Sequence, residues 1–147
     1  SFVSIMNCRT EKGAELICNI PEAYNNILVP RMILQPIIGN AFFHGFAEKD
    51  KDCEIHITVE ERGTMVMIHI MDNGEGIGPM RLKEIRTGKY ESQDSHHGIG
   101  LKNIRKRLEI IYGGASRLEI HSELGQFTTV SLLIDNYRHR IEEEPLV

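Results

Sequence analysis

Cysteine is scarce in this chain of 147 residues: Cys8, Cys18 and Cys53 are three in number and far apart. The odd count, the scatter and the lack of any CxxC pair argue against a disulfide scaffold or a zinc knuckle, and they fit a reducing compartment. Long apolar runs are missing too. No stretch reaches membrane-spanning length and no signal peptide opens the chain, so no direct membrane contact is expected of this segment. A basic excess is also absent. The formal net charge is −4, which offers no electrostatic footprint for nucleic acid. Internal repeats and low-complexity stretches do not occur. The first residue is Ser1 rather than methionine, as expected for a fragment of a longer protein. What remains is ordinary for a soluble fold, 41% apolar and 26% charged. The length suits one domain, 1–147, with a real core.

Periodicity divides the chain into elements. Phe2, Val3, Ile5 and Met6 suit either a short strand or the end of an upstream helix. Ala14, Leu16, Cys18 and Ile20 share one parity and predict a strand over 14–20, ended by Pro21. Asn25 and Asn26 mark a loop. Pro30 suits a first helical turn. From Arg31, the residues Ile33, Pro36, Ile37, Asn40, Ala41 and His44 fall on one helical face. Pro36 is read as early in that helix, where its missing N–H costs least, and the helix is expected to end between 45 and 49. Ile55, Ile57 and Val59 alternate with polar residues, as do Val66, Ile68 and Ile70 beyond a Gly63 turn, which predicts a hairpin with one face buried. Pro79 to Ile85 predicts a short helix with Met80, Leu82 and Ile85 inward. Residues 86–97 are polar and read as a mobile surface loop placed like a lid. Ile99, Leu101, Ile104, Leu108 and Ile111 mark a helix that opens at Gly98 and stops at Gly113-Gly114. Leu118 and Ile120, then Phe127 to Ile134, predict two last strands around a Leu124-Gly125 turn. The core spans about 14–134 and 135–147 is a charged tail. The predicted fold is a two-layer α/β sandwich of α+β type: helices on one face of a mixed, mostly antiparallel sheet.

Polar residues on apolar faces point to chemistry. Asp72 keeps the parity of Val66, Ile68 and Ile70, so the strand aims a carboxylate toward the helices, where it needs hydrogen-bond donors. A plain turn aspartate before Asn73-Gly74 accounts for the same residues, and both readings can hold. Asn40 is an amide within an apolar stripe, and it too needs partners. His44 lies one turn further on, where a structural histidine is the commoner outcome. The glycine series at 74, 76 and 78 lacks the pattern of a Walker or dinucleotide loop, since no GK[ST] follows. Such parts can hold ATP. A carboxylate at a strand end accepts the exocyclic amine of adenine, and glycines allow close approach. Asn40 offers an oxygen to Mg²⁺, with the phosphates completing the shell. The helix start at Gly98–Leu101 offers N–H groups to phosphate. Lys102, Arg105, Lys106 and Arg107 add basic residues, equally readable as a solvated face.

The segments NA–HG at 40–45, DNGEGIG at 72–78 and GIGLKNIRKRLEIIYG at 98–113 resemble the N, G1 and G2 boxes of the ATP-binding domain of sensor histidine kinases. That is the GHKL superfamily, which also holds DNA gyrase. The LQPIIGNAFFHG and GLKNIRKRL…YG forms are most similar to the LytS/YesM-like bacterial branch. The resemblance covers roughly 14–134. It implies ATP and Mg²⁺ as cofactors, with Asn40 on the metal and Asp72 on adenine. Gly74, Gly76 and Ile77 would line the base pocket, and Thr128 would match a late threonine near the adenine. Gly98, Ile99, Gly100 and Leu101 would form the lid hinge and phosphate rim. His44, Lys102 and Arg107 would stand near the phosphates. The implied partners are an upstream dimerisation domain bearing the phosphoacceptor histidine and a downstream response regulator. None of the seven histidines in this chain is given that acceptor role. The implied setting is a cytoplasmic domain whose parent is anchored in the bacterial inner membrane.

Three positions depart from that pattern. Gly39 replaces an acidic residue that usually precedes the box asparagine, Phe43 replaces a common basic residue, and Phe127 replaces a glycine. A lost carboxylate and a lost phosphate-side cation lower turnover before they lower binding. The alternative reading is therefore a degenerate domain that regulates or docks. A third reading, an ATPase of another branch, needs a general-base glutamate one turn before Asn40, where Pro36 stands.

Overall fold

The computed structural model describes residues 2–5, 14–24, 27–41, 52–87 and 98–135. The expected end of the first helix at 45–49, His44, Phe43, the loop from 88 to 97 and the tail after Asp135 lie outside them. In chain order the elements are β1 (Phe2–Ser4), β2 (Ala14–Asn19), β3 (Leu28–Pro30), α1 (Arg31–Asn40), β4 (Cys53–Arg62), β5 (Met65–Asp72), α2 (Pro79–Thr87), α3 (Gly98–Tyr112), β6 (Arg117–Glu123) and β7 (Phe127–Asp135). Five strands form the main sheet in the order β2-β4-β5-β7-β6. Its β2–β4 pair is parallel and the others are antiparallel. The helices cover one face, giving the expected two-layer sandwich.

Alternation along the strands builds that covered face in rows. Cys18, Ile57, Ile70, Val130 and Ile120 lie side by side, and Val59, Ile68, Leu132 and Leu118 form the next row. Ile57, Ile68 and Leu132 are fully buried. Each such side chain contributes about 1.5–3 kcal/mol relative to exposure. A slip of one residue would turn every one of them outward, so the register is held firmly. At the tip of the β4–β5 hairpin Arg62 pairs with Met65 across Gly63 at φ +62, a two-residue loop with glycine first. On the other face His69 bridges Ser131 Oγ at 2.7 Å and Glu60 Oε1 at 3.2 Å. Hydrogen bonds from Arg62 and then His69 hold the Glu60 carboxyl below its ordinary range.

Of the two readings of the N-terminal residues the short strand holds: they form β1, antiparallel to β3 in a second small sheet. Several other expectations are corrected. Pro30 closes β3 and caps α1 instead of lying in its first turn. Met80 is 81% exposed, because Leu82 and Ile85 alone supply the inward side of the short α2. Arg86 belongs to α2 and not to the loop. Its Nε and Nη2 donate to the Ile120 carbonyl at 3.0 and 2.6 Å, satisfying an acceptor on the edge strand β6.

Pro36 is not early: it is the sixth residue of α1. Having no N–H, it leaves the carbonyl of Met32, four residues back, without its intrahelical donor. Arg107 Nη1 donates to that carbonyl at 2.6 Å. Eight residues along α1, Asn40 lies beside Gly100, seven residues back along α3. Two such ties make α1 and α3 antiparallel neighbours, with the C-terminal end of one against the N-terminal end of the other. Removing the guanidinium by Arg107→Ala is expected to lower stability by about 0.5–1.5 kcal/mol. In a Pro36→Ala background, which restores the N–H, that loss shrinks toward zero. Urea unfolding of the four chains of this cycle measures it.

The chain leaving β5 is tied down on two sides. Asn73 brackets the start of β4: Glu54 N–H donates to its Oδ1 at 2.8 Å and its Nδ2 donates to the Asp52 carbonyl at 2.7 Å. Farther on, the β6–β7 turn presses against Gly76, and Gly125 N–H donates to the Glu75 carbonyl. Gly76 has φ +71, and a Cβ there would lie 2.0 Å from the Glu123 carbonyl oxygen. Gly125 has φ +80 but nothing within 4 Å of a Cβ. Gly125→Ala is therefore expected to cost about 1 kcal/mol, the backbone term alone. Gly76→Ala adds a backbone collision and costs at least about twice that. Denaturant midpoints of the two variants, compared at equal m-value, test the difference.

Candidate functional site

Between the helix layer and one end of the sheet lies a cavity of about 350 Å³. Its walls are largely apolar: Ile37 of α1 and Ala41 just past its end, Ile70 of β5, Ile85 of α2, Leu101 of α3 and Val130 of β7. A volume of this order and a few polar groups set in an apolar lining are what a small-molecule site requires. The polar groups come from known places. Asp72 and Thr128 stand opposite each other on β5 and β7, and Ser122 stands opposite Thr128 on β6. All three keep the parity of the buried residues before or after them. At this row the inward face changes from apolar to polar on β5, β7 and β6, while Ile55 of β4, opposite Asp72, stays apolar and buried. Asn40 enters from the end of α1.

Asp72 is 9% exposed. The Gly74 N–H donates to its Oδ1 at 3.0 Å, so the turn that follows the strand helps to hold the carboxylate. Ser122 Oγ accepts from Ile77 N–H at 2.7 Å, donates to the Phe127 carbonyl at 2.7 Å and lies 2.8 Å from Thr128 Oγ1. One hydroxyl thus joins the glycine turn, β6 and β7 beneath the cavity. At the far end, the first turn of α3 approaches α1 closely. A Cβ on Gly100 would lie 3.4 Å from Asn40 Nδ2 and 3.7 Å from Asn40 Oδ1. The amide end of α3 and the carbonyl end of α1 therefore meet at Asn40. The first favours anions and the second favours cations.

Of the residues singled out from the sequence, Asn40, Asp72, Gly76, Ile77, Leu101 and Thr128 line this one cavity. Gly74 lies just behind Asp72, bonded to it. Gly98, Ile99 and Gly100 form the first turn of α3. Lys102 is exposed on that helix. Arg107 is directed to Met32 on α1. His44 falls outside the described residues. Sequence reasoning missed Glu75, Arg81 and Leu124 in the lining, and it missed Ser122. Ser122 was within reach, since it continues the inward parity of Leu118 and Ile120 just as Asp72 continues that of Ile68 and Ile70. Arg81 and Leu124 carry no such signal, because a turn and a short helix bring them there.

The residues present fit an adenine nucleotide with a magnesium ion: a strand-end carboxylate at one end of the cavity, an amide oxygen and helix N–H groups at the other. Comparison with known proteins bears on the family and the fold. The "Sensor protein LytS" of Bacillus cereus is 33% identical over 134 residues, covering 91% of this chain and 23% of that protein. The "Sensor histidine kinase YesM" of Bacillus subtilis is 28% identical over 133 residues, 90% of this chain and 22% of that protein. The chain thus spans about a quarter of the length of the curated relatives it matches. Among solved structures, the histidine kinase domain of the Erythrobacter litoralis blue-light activated histidine kinase superposes with a TM-score of 0.57. It is 12% identical and the match covers 89% of this chain and 55% of that one, a likeness of fold. The sequence profile of the "Histidine kinase-, DNA gyrase B-, and HSP90-like ATPase" family matches residues 26–138, most of the chain, which therefore belongs to that family.

Proposed function

We propose that this chain is the ATP- and Mg²⁺-binding catalytic domain of a two-component sensor histidine kinase of the LytS/YesM type. The observation that carries the reading is that Asn40 and Asp72, from different layers of the fold, line one cavity. Asp72 would accept the exocyclic amine of adenine, with Gly74, Gly76, Ile77 and Thr128 around the base. Asn40 would hold the magnesium ion, which neutralises phosphate charge when bound. The N–H groups of Gly98, Ile99, Gly100 and Leu101 would receive the phosphates, and His44, Lys102 and Arg107 would add to the positive field there. Transfer of this kind relies on position and charge neutralisation, so this domain needs no covalent intermediate of its own.

The acceptor would be a histidine on an upstream dimerisation domain, with a response-regulator aspartate next in line. The parent would be anchored in the bacterial cell membrane with this domain on its cytoplasmic side. Among the described residues no helix is long and apolar enough to cross a membrane. The glycine at 39 is the departure of most consequence. A Cβ there meets nothing within 4 Å, so a longer side chain has room.

Isothermal titration with Mg-ATP tests the reading, and no heat at millimolar nucleotide sinks it. Asp72→Asn replaces one acceptor with a donor and is expected to weaken ATP by about tenfold to a hundredfold, the value of a charge-assisted hydrogen bond. Affinity unchanged by that substitution removes Asp72 from the base contact. In a longer chain carrying the upstream helices, Gly39→Glu is expected to raise autophosphorylation, read with radiolabelled ATP.

A further inference from the structure

The hydroxyl of Ser122 has one proton and two lone pairs. It makes three short contacts, and these decide where every proton lies. The Phe127 carbonyl has no proton, so the 2.7 Å contact with it carries the proton of Ser122. The Ile77 N–H occupies one lone pair at 2.7 Å. The remaining contact, 2.8 Å to Thr128 Oγ1, must then carry the proton of Thr128. A reversed arrangement would leave two oxygen lone pairs facing each other across the Phe127 contact.

Thr128 also lines the cavity. With its proton directed to Ser122, it shows the cavity lone pairs only. Asp72, its partner across the strands, is an acceptor only when ionised. One water between these groups and a ligand leaves the polarity unchanged. Giving a proton to each of the two, it too shows the ligand only lone pairs. We infer that Ser122 is a positioning residue that makes Thr128 an obligate acceptor. The base end of the cavity thereby selects a purine with a 6-amino group over one with a 6-oxo group. This rests on the nucleotide reading of the same cavity, and it adds a residue and a direction of hydrogen bonding that the motif residues do not contain.

The chemistry predicts how selectivity responds. A 6-oxopurine meets two acceptors and is rejected, because its own oxygen finds no donor. Once Ser122 is removed, the Thr128 hydroxyl turns freely and can donate to that oxygen. The penalty on the 6-oxopurine falls while the amine of ATP keeps Asp72.

The test measures Kd for Mg-ATP and for Mg-inosine triphosphate by titration calorimetry on the 147-residue chain and its variants. The unaltered chain is expected to prefer ATP. Ser122→Ala is expected to narrow that preference by about threefold to tenfold, one hydrogen bond's worth, chiefly through tighter binding of the inosine nucleotide. Ser122→Thr keeps the hydroxyl and restores the preference. In a Thr128→Val background, Ser122→Ala should leave the ratio where it is, since its effect runs through Thr128. A merely structural role for Ser122 weakens both nucleotides by one factor, and that result overturns the inference. So does a change of ratio that persists in the Thr128→Val background. Thermal melts report whether each variant folds. If Ser122→Ala does not, Ser122→Cys, a poor acceptor, takes its place. If neither nucleotide binds the unaltered chain, the nucleotide reading itself falls, an outcome distinct from ATP binding with an unmoved ratio.

Discussion

A carboxylate that faces a hydrophobic core from the end of a strand has to find donors, since leaving it unsatisfied costs several kcal/mol, on the order of a small domain's whole stability. Asp72 finds one in the Gly74 N–H, and the local turn therefore cannot relax without exposing the group it supports. On one side of it two neighbouring strands supply further polar residues in the same row. Asp72, Thr128 and Ser122 are aligned by the same register that buries Ile70, Val130 and Ile120 one row further in. Hydrophobic burial fixes the register, and the register places the polar groups. The site thus inherits its precision from the core next to it, and the turn after β5 adds the Gly74 N–H.

The helix layer is organised by a missing hydrogen bond. Pro36 frees the Met32 carbonyl, and Arg107 reaches across from α3 to fill it. At the opposite end of both helices Gly100 lies beside Asn40, and a Cβ there would be 3.4 Å from Asn40 Nδ2, an ordinary van der Waals contact. Two helix ends of opposite partial charge then share one corner of the cavity. A metal–phosphate pair carries both signs, so it can use both ends at once. Arg107, assigned by resemblance to the phosphates, makes its observed contact as a strut between the helices.

Legibility followed periodicity. The β4–β5 hairpin, α3 and β7 all have long alternating or helical patterns, and the residues buried by them were readable in advance. Asp72 was readable for the same reason, as a polar residue that keeps an inward parity. Short elements were not. β1 and β3 have three residues each, too few to show a period, and their pairing is a long-range event that local composition does not encode. Met80 was misjudged because a nine-residue helix has room for only a narrow inward stripe, which Leu82 and Ile85 already fill. Arg81 and Leu124 join the cavity through tertiary contact alone: the β6–β7 turn presses on Gly76 and carries Leu124 with it. Ser122 is the instructive miss. Its signal was the same as that of Asp72, but serine is common at strand ends, and only its three simultaneous contacts set it apart.

The two ends of the cavity are built from different materials, and this bears on how the chain departs from its relatives' pattern. The Asp72 end is backed by cross-strand pairs in the middle of the sheet, where movement would break buried ladders. The Asn40 end is made of helix termini, whose last turns fray most readily. Gly39 belongs to the second group, and a Cβ at that position meets nothing within 4 Å. A substitution there can alter charge near the phosphates without disturbing the base end. Under the proposed reading, recognition of the base and transfer of the phosphoryl group are separable properties of this fold. In that reading glycine at 39 would act on the second, and a chain that binds nucleotide well and transfers phosphate slowly is a physically coherent outcome.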